Sequence, residues 1–166
     1  GAAQGLVVAL AIAVLFGLGV SPTFLGAALA LAEVLLVAGL AASFLHLGRK
    51  TRAWRAVLMW RTSWMSREVI VLPAFIVLVA LWWFSLRFGM AAGAPRSGLL
   101  PVLVLIGAVG LWYCTAMIYA CLRFIEEWAH PLTIVNFTLI GLSSGLVLAC
   151  AMAALAGESR FVQLVG

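Results

Sequence analysis

Two residues at neighbouring ends of apolar runs have the chemistry to move protons. His46 lies at the end of the run Phe24–Leu47, and Glu68 directly precedes the run that begins at Val69. Because one connection joins these runs, their ends lie at the same membrane face, where the two side chains can approach one another. An imidazole has an unperturbed pKa of about 6.5, and a carboxylate is a second proton acceptor. The pair is suited to moving protons, and a site that oxidises a hydroquinone, which releases two protons and two electrons, would need proton acceptors of this kind.

Each residue also has a purely structural interpretation. An isolated histidine at a membrane interface is often only a snorkelling side chain. A glutamate in the first turn of a helix is stabilised by the helix dipole. Glu33 lies near the middle of the second run, where an unpaired carboxylate costs several kcal/mol. We interpret it either as a step in a proton path or as a protonated, hydrogen-bonded structural residue.

Composition requires that helices in a membrane position these residues. The chain has 166 residues, 66% hydrophobic and 9% charged, whereas a soluble domain carries roughly a quarter charged residues. A spanning helix needs about 20 apolar residues, and a spanning barrel strand would instead alternate polar and apolar residues. We therefore predict an all-α fold, a polytopic transmembrane helical bundle forming one domain over residues 1–166. The five expected spans are Ala2–Val20, Phe24–Leu47, Val69–Leu86, Leu99–Leu122 and Leu132–Ala156.

The connection from Arg49 to Glu68 carries the whole net charge of +5. The positive-inside rule places this connection in the cytoplasm. Between its arginines stand Trp54, Val57, Leu58, Trp64 and Met65 at nearly helical spacing, which predicts a short amphipathic helix at the level of the lipid headgroups. Such a helix is either a connector that contacts lipid or a docking surface for a soluble subunit.

Motifs of soluble enzymes do not appear in the sequence: it has no phosphate-binding loop, zinc motif or nucleophile elbow. Haem normally requires axial histidines, and the two histidines, His46 and His130, both lie at the ends of spans. The three cysteines form no CxxC pair, and we interpret them as small apolar packing residues. Gly141 and Gly145 form a small-xxx-small pair that permits close helix packing. We therefore expect no haem or metal in this chain.

Several segments resemble the membrane anchor subunit of dimethyl sulfoxide reductase. The most specific part runs from His46-Leu-Gly to Ser66-Arg-Glu68. The other similar segments are Gly1–Gly5, Ser43–Arg49, Arg52–Arg55, Met117–Arg123 and the stretch from Trp128 to Thr133.

The resemblance implies a subunit that anchors an iron–sulfur subunit and a molybdopterin catalytic subunit. Such a subunit oxidises menaquinol and passes the electrons to the iron–sulfur chain in anaerobic respiration, as a multi-pass protein of the bacterial cytoplasmic (inner) membrane. It implies that His46 and Glu68 are the functional histidine and glutamate of the menaquinol site. Arg67, Arg61 and Gln4 carry over as further quinol-binding residues, and Glu33 is the residue that we assign to a proton path.

The family fold implied by the resemblance has eight helices, whereas about five are present here. We therefore expect the chain to be a portion of a longer protein. Two other functions stay open: a transporter or channel, which would need polar groups in broken helices near the midplane, and a structural anchor without quinol chemistry.

Overall fold

The computed structural model describes residues 1–45, 54–92, 98–158 and 161–163, and in these ranges the regular structure is helical. The helices are α1 (Ala2–Leu15), α2 (Pro22–Leu45), α3 (Arg55–Leu58), α4 (Trp64–Ala92), α5 (Leu99–Ala120) and α6 (Pro131–Ala156). Four of them, α2, α4, α5 and α6, are long and apolar enough to cross a membrane. The predicted all-α polytopic bundle is confirmed.

Local chemistry sets where these helices begin. Ser21 precedes Pro22, and its hydroxyl accepts a hydrogen bond from the Phe24 amide at 3.3 Å, while proline supplies a backbone angle suited to the first helical position. At the start of α6, Nδ1 of His130 accepts a hydrogen bond from the Leu132 amide at 3.1 Å. This bond gives His130 a capping role at the end of a span.

The first helix is shorter than the predicted span, which extended to Val20. Gly17 has a φ of +65°, and the Leu18 amide bonds the Ala13 carbonyl at 2.9 Å, a pairing typical of a helix that ends at a left-handed glycine. The 14 residues of α1 rise about 21 Å, less than the ~30 Å hydrocarbon core of a bilayer.

Helix α1 lies in the middle of the bundle and packs against α2, α5 and α6, while α4 packs against α2 and α5. Every residue of α1 from Ala3 to Ala11 is buried. The four long helices instead expose many of their apolar side chains, as expected for surfaces that face lipid. A polar residue on α1 is therefore enclosed by protein.

Three glycines allow α1 to approach α6 closely. A Cβ atom on Gly5 would meet the carbonyl oxygen of Gly141 and would lie 2.9 Å from the Cα of Gly145. A Cβ atom on Gly141 would also lie 2.9 Å from Cε2 of Trp112 on α5. This geometry confirms the packing interpretation of Gly141 and Gly145, and it adds Gly5 as their partner.

The predicted amphipathic helix over residues 54–65 is wrong as a continuous element. The structure forms only the four-residue α3, and Trp64 and Met65 belong to α4. Between them, the amides of Thr62 and Ser63 both bond the Met59 carbonyl, at 3.1 and 3.0 Å. In this turn the side chain of Arg67 on α4 donates to the Trp60 and Arg61 carbonyls, which a continuous helix would pair with backbone amides.

Candidate functional site

Glu68 lies just inside the N-terminal end of α4. The helix begins after Ser63, whose hydroxyl accepts a hydrogen bond from the Ser66 amide at 3.4 Å, as an N-cap residue does. Glu68 is four residues beyond Trp64, the first residue of the helix, which corresponds to about 6 Å along the axis. The cap therefore fixes Glu68 near the membrane face where α2 ends and α5 ends.

A threonine of the neighbouring helix binds this carboxyl group. The Thr115 hydroxyl on α5 donates a hydrogen bond to Oε1 of Glu68, with an oxygen–oxygen distance of 2.7 Å. Both side chains are half-buried. Sequence reasoning did not select Thr115, since only the packing of α4 against α5 brings it to Glu68. The available signal was that Thr115 is the one serine or threonine in the run Leu99–Leu122.

Glu68 and Thr115 line a cavity of about 360 Å³ together with residues of α1 and α2. This volume lies within the ~300–1,000 Å³ range of small-molecule sites. The walls are built from four leucines: Leu35, Leu36, Leu72 and Leu111. The first residues of α1 and Gly39 of α2 complete the lining. The lining of the cavity is thus mainly apolar and includes a small number of polar groups.

Gln4 is the polar residue that α1 brings into this cavity. Its side chain is only 6% exposed, because α1 lies inside the ring of longer helices. The amide nitrogen Nε2 is buried without a hydrogen-bond partner among the described residues. Buried amide groups are normally hydrogen-bonded, so a ligand bound in the cavity could supply the partner that this donor lacks. The structure therefore brings together two of the predicted site residues, Gln4 and Glu68.

Arg67 and Arg61, by contrast, do not line the cavity. The guanidinium group of Arg67 donates to the carbonyls of Trp60 and Arg61, each at 3.0 Å, and lies 4.0 Å from the ring centre of Trp64. Arg61 lies over the exposed ring of Trp60 at 5.4 Å. The geometry gives Arg67 a role in holding the turn that precedes α4, and it leaves Arg61 at the surface.

Glu33 also lies outside the walls of the cavity, although it is on α2 only two residues before Leu35. Its Oε2 atom is buried without a partner among the described residues. His46 follows α2 directly in the sequence but lies outside the described residues, so its proximity to Glu68 stays a prediction.

A metal site is not evident in the part of the chain that the structure describes, since no group of three or more histidine, cysteine or acidic side chains could hold an ion there. The three cysteines are free thiols.

The chain as a whole resembles known proteins. Residues 1–165 match the family model described as "DMSO reductase anchor subunit (DmsC)". The chain belongs to the DMSO reductase anchor subunit family. Within the family, the chain is 50% identical to a protein of Allochromatium vinosum that is named as a sulfite dehydrogenase subunit, over 76% of this chain and 42% of that protein.

A second relative of this anchor-family chain is the "Anaerobic dimethyl sulfoxide reductase chain YnfH" of Escherichia coli strain K12. It is 27% identical, over 72% of this chain and 41% of the relative. The chain spans about two fifths of the length of both curated relatives. No solved structure matches the chain at a significant level. The resemblance inferred from the sequence is thus confirmed at the level of the family.

Proposed function

We propose that this chain forms the quinol-reactive part of the membrane anchor subunit of a molybdopterin oxidoreductase of the dimethyl sulfoxide reductase type. It binds menaquinol in the cavity lined by Glu68, Gln4 and Thr115, oxidises it, and passes the electrons to an iron–sulfur partner subunit. The family membership supports the anchor role. The cavity is the single observation that carries the quinol chemistry.

The shape and lining of the cavity suit a quinol head group. The leucine walls offer an apolar surface for the ring, and the unpartnered Nε2 of Gln4 can donate to one ring oxygen. The carboxylate of Glu68 can accept a proton from a ring hydroxyl. Oxidation of one quinol to the quinone releases two protons and two electrons. Glu68 takes one proton, and we propose His46 as the acceptor of the second.

The electrons leave towards the partner subunits in this proposal, and the chain itself needs no metal. The iron–sulfur subunit accepts them and delivers them to the molybdopterin catalytic subunit. The complex then belongs to the bacterial cytoplasmic membrane, where the four long apolar helices hold the cavity within reach of lipid-borne quinol.

The second candidate function is the reverse reaction at the same site, the reduction of a quinone. The relative that is 50% identical is named as a subunit of a sulfite dehydrogenase, an enzyme whose name describes oxidation of sulfite. A partner of that kind would deliver electrons to this chain, and the cavity would reduce a quinone to the quinol. Glu68 would then donate a proton instead of accepting one, since a general acid and a general base exchange roles when a reaction is reversed.

The test uses the chain in complex with its co-purified partner subunits. We expect Glu68→Gln to lower oxidation of a menaquinol analogue by about 10²-fold or more, the size of a lost general base. Reduction of the complex by an artificial viologen dye should be unchanged. Glu127→Gln is the matched control, since Glu127 is an exposed glutamate in the connection between α5 and α6 at the same end of the bundle.

Normal quinol turnover in Glu68→Gln would overturn the assignment. Gln4→Leu should raise the KM for the analogue about tenfold, by removing one hydrogen bond. Supplying sulfite and a quinone analogue to the same complex decides the direction, because only the second candidate predicts formation of the quinol.

A further inference from the structure

The hydroxyl group of Thr115 stands between two acceptors. Its oxygen lies 2.7 Å from Oε1 of Glu68 and 3.0 Å from the carbonyl oxygen of Leu111, one turn earlier on its own helix. A threonine hydroxyl carries one proton but can also accept hydrogen bonds. It can therefore donate to only one of these two oxygens at a time, and its choice depends on the state of Glu68.

When Glu68 is a carboxylate, donation to Oε1 is favoured, because a hydrogen bond to an ionised acceptor is shorter and about twice as strong as a neutral one. The separation of 2.7 Å fits that arrangement. When Glu68 has taken a proton, the carboxyl O–H can instead donate to the Thr115 oxygen. The threonine proton then turns to the Leu111 carbonyl. Only hydrogen atoms move, and the oxygens keep their places.

Two charged groups lie near this carboxyl group, the Gly1 amino group, which interacts with it electrostatically, and Arg67, and neither of them is hydrogen-bonded to it among the described residues. The guanidinium of Arg67, next to Glu68 in sequence, is engaged with the Trp60 and Arg61 carbonyls. Thr115 is the hydrogen-bond partner that the structure gives to Glu68 among the described residues. The hydrogen bond of the Thr115 hydroxyl is therefore the one that changes when Glu68 gains or loses a proton.

We propose that Thr115 is a positioning residue, which keeps the Glu68 carboxyl group aimed into the cavity in both protonation states by reversing the direction of one hydrogen bond. The inference rests on the proposed function, in which Glu68 gains a proton and must lose it again in every turnover. Without the hydroxyl, the carboxylate loses its donor and the protonated form loses its acceptor.

A structural interpretation exists, since threonines inside helices often bond the carbonyl four residues earlier. Thr138 on α6 supplies the matched control, because its hydroxyl donates to the Ile134 carbonyl at 2.9 Å. If Thr115 had only this role, replacing either threonine by the isosteric valine would have the same effect on the site.

The first measurement is infrared spectroscopy of the complex in lipid nanodiscs without quinol. The carbonyl band of protonated Glu68 is identified by its loss in Glu68→Gln. We expect this band to move to higher frequency in Thr115→Val and in Thr115→Ala, and to keep its wild-type position in Thr115→Ser and Thr138→Val. An unmoved band in both Thr115→Val and Thr115→Ala would overturn the proposal.

The second measurement is turnover with the menaquinol analogue. Thr115→Val should lower kcat on the order of tenfold, the effect of one hydrogen bond to a charged group, and Thr115→Ser should restore it. Equal turnover in Thr115→Val and Thr138→Val would overturn the positioning role. The infrared band reads the hydrogen bond without any quinol, so a failure of the proposed function is distinguishable from a failure of this inference.

Discussion

The contact between α1 and α6 makes a sharp prediction about Gly5→Ala. The added methyl group would meet the Gly141 carbonyl oxygen and the Gly145 Cα atom at 2.9 Å. Both obstacles are backbone atoms of one helix, so no side chain can rotate to make room. The two helices have to separate, and α1 has to shift relative to its neighbours.

The expected magnitude follows from two opposing terms. Overpacking of a tightly packed contact costs about 1–3 kcal/mol. Alanine is favoured over glycine in a helix by roughly 0.5–1 kcal/mol, which offsets part of that cost. We therefore expect the free energy of unfolding to fall by about 1 kcal/mol, within the range of about 0–2.5 kcal/mol that the two terms allow. Because Gln4 directly precedes Gly5, the shift should also weaken binding of a quinol analogue in the cavity.

The assay is unfolding in mixed detergent micelles, followed by circular dichroism, together with a titration of the analogue. Gly110→Ala on α5 is the matched control, because nothing lies within 4 Å of a Cβ atom placed there. That control should leave stability unchanged or raise it. If Gly5→Ala is as stable as Gly110→Ala and binds the analogue equally well, the close α1–α6 contact does not hold Gln4 in place.

Two further predictions concern α2. Trp83→Phe removes the 3.0 Å hydrogen bond from the indole nitrogen to the Gly26 carbonyl of α2, and it should lower the unfolding free energy by about 1 kcal/mol. Trp54→Phe, at a 63% exposed position, is the control. Equal stability of the two variants would contradict the reasoning. Glu33→Gln should leave the affinity for a quinol analogue unchanged, because Glu33 does not line the cavity, and it should slow quinol turnover if the proton path includes this residue. Unchanged turnover would assign Glu33 a structural role.

Much of the fold follows from apolar run length, since each long run became a helix. The end of the first helix was not predicted, since the expected span ran to Val20 although Gly17 and Gly19, which both have positive φ, interrupt the run. The position of α1 inside the bundle could not be predicted from the sequence. Its residues are apolar on every side, so no stripe distinguishes a face towards protein from a face towards lipid.

In the candidate site too, some residues could be predicted from the sequence and others could not. Glu68 and Gln4 stand out in the sequence because polar residues are rare in apolar runs, and the structure brings both to one cavity. Thr115 was missed because its role depends on which helix packs beside α4. Arg67 was carried over from the family resemblance, whereas its hydrogen bonds to the Trp60 and Arg61 carbonyls give it a local structural role.

The enclosed position of α1 has a consequence for how the protein assembles. Helix α1 makes its most extensive contact with α6, and four other described helices separate the two in the chain. Contacts between distant parts of a chain form late, since the intervening segment must be ordered first. Until α6 arrives, α1 is a short apolar helix without its glycine-lined partner. The cavity, whose lining includes the first residues of α1, therefore takes its final shape only after α1 has packed against α6.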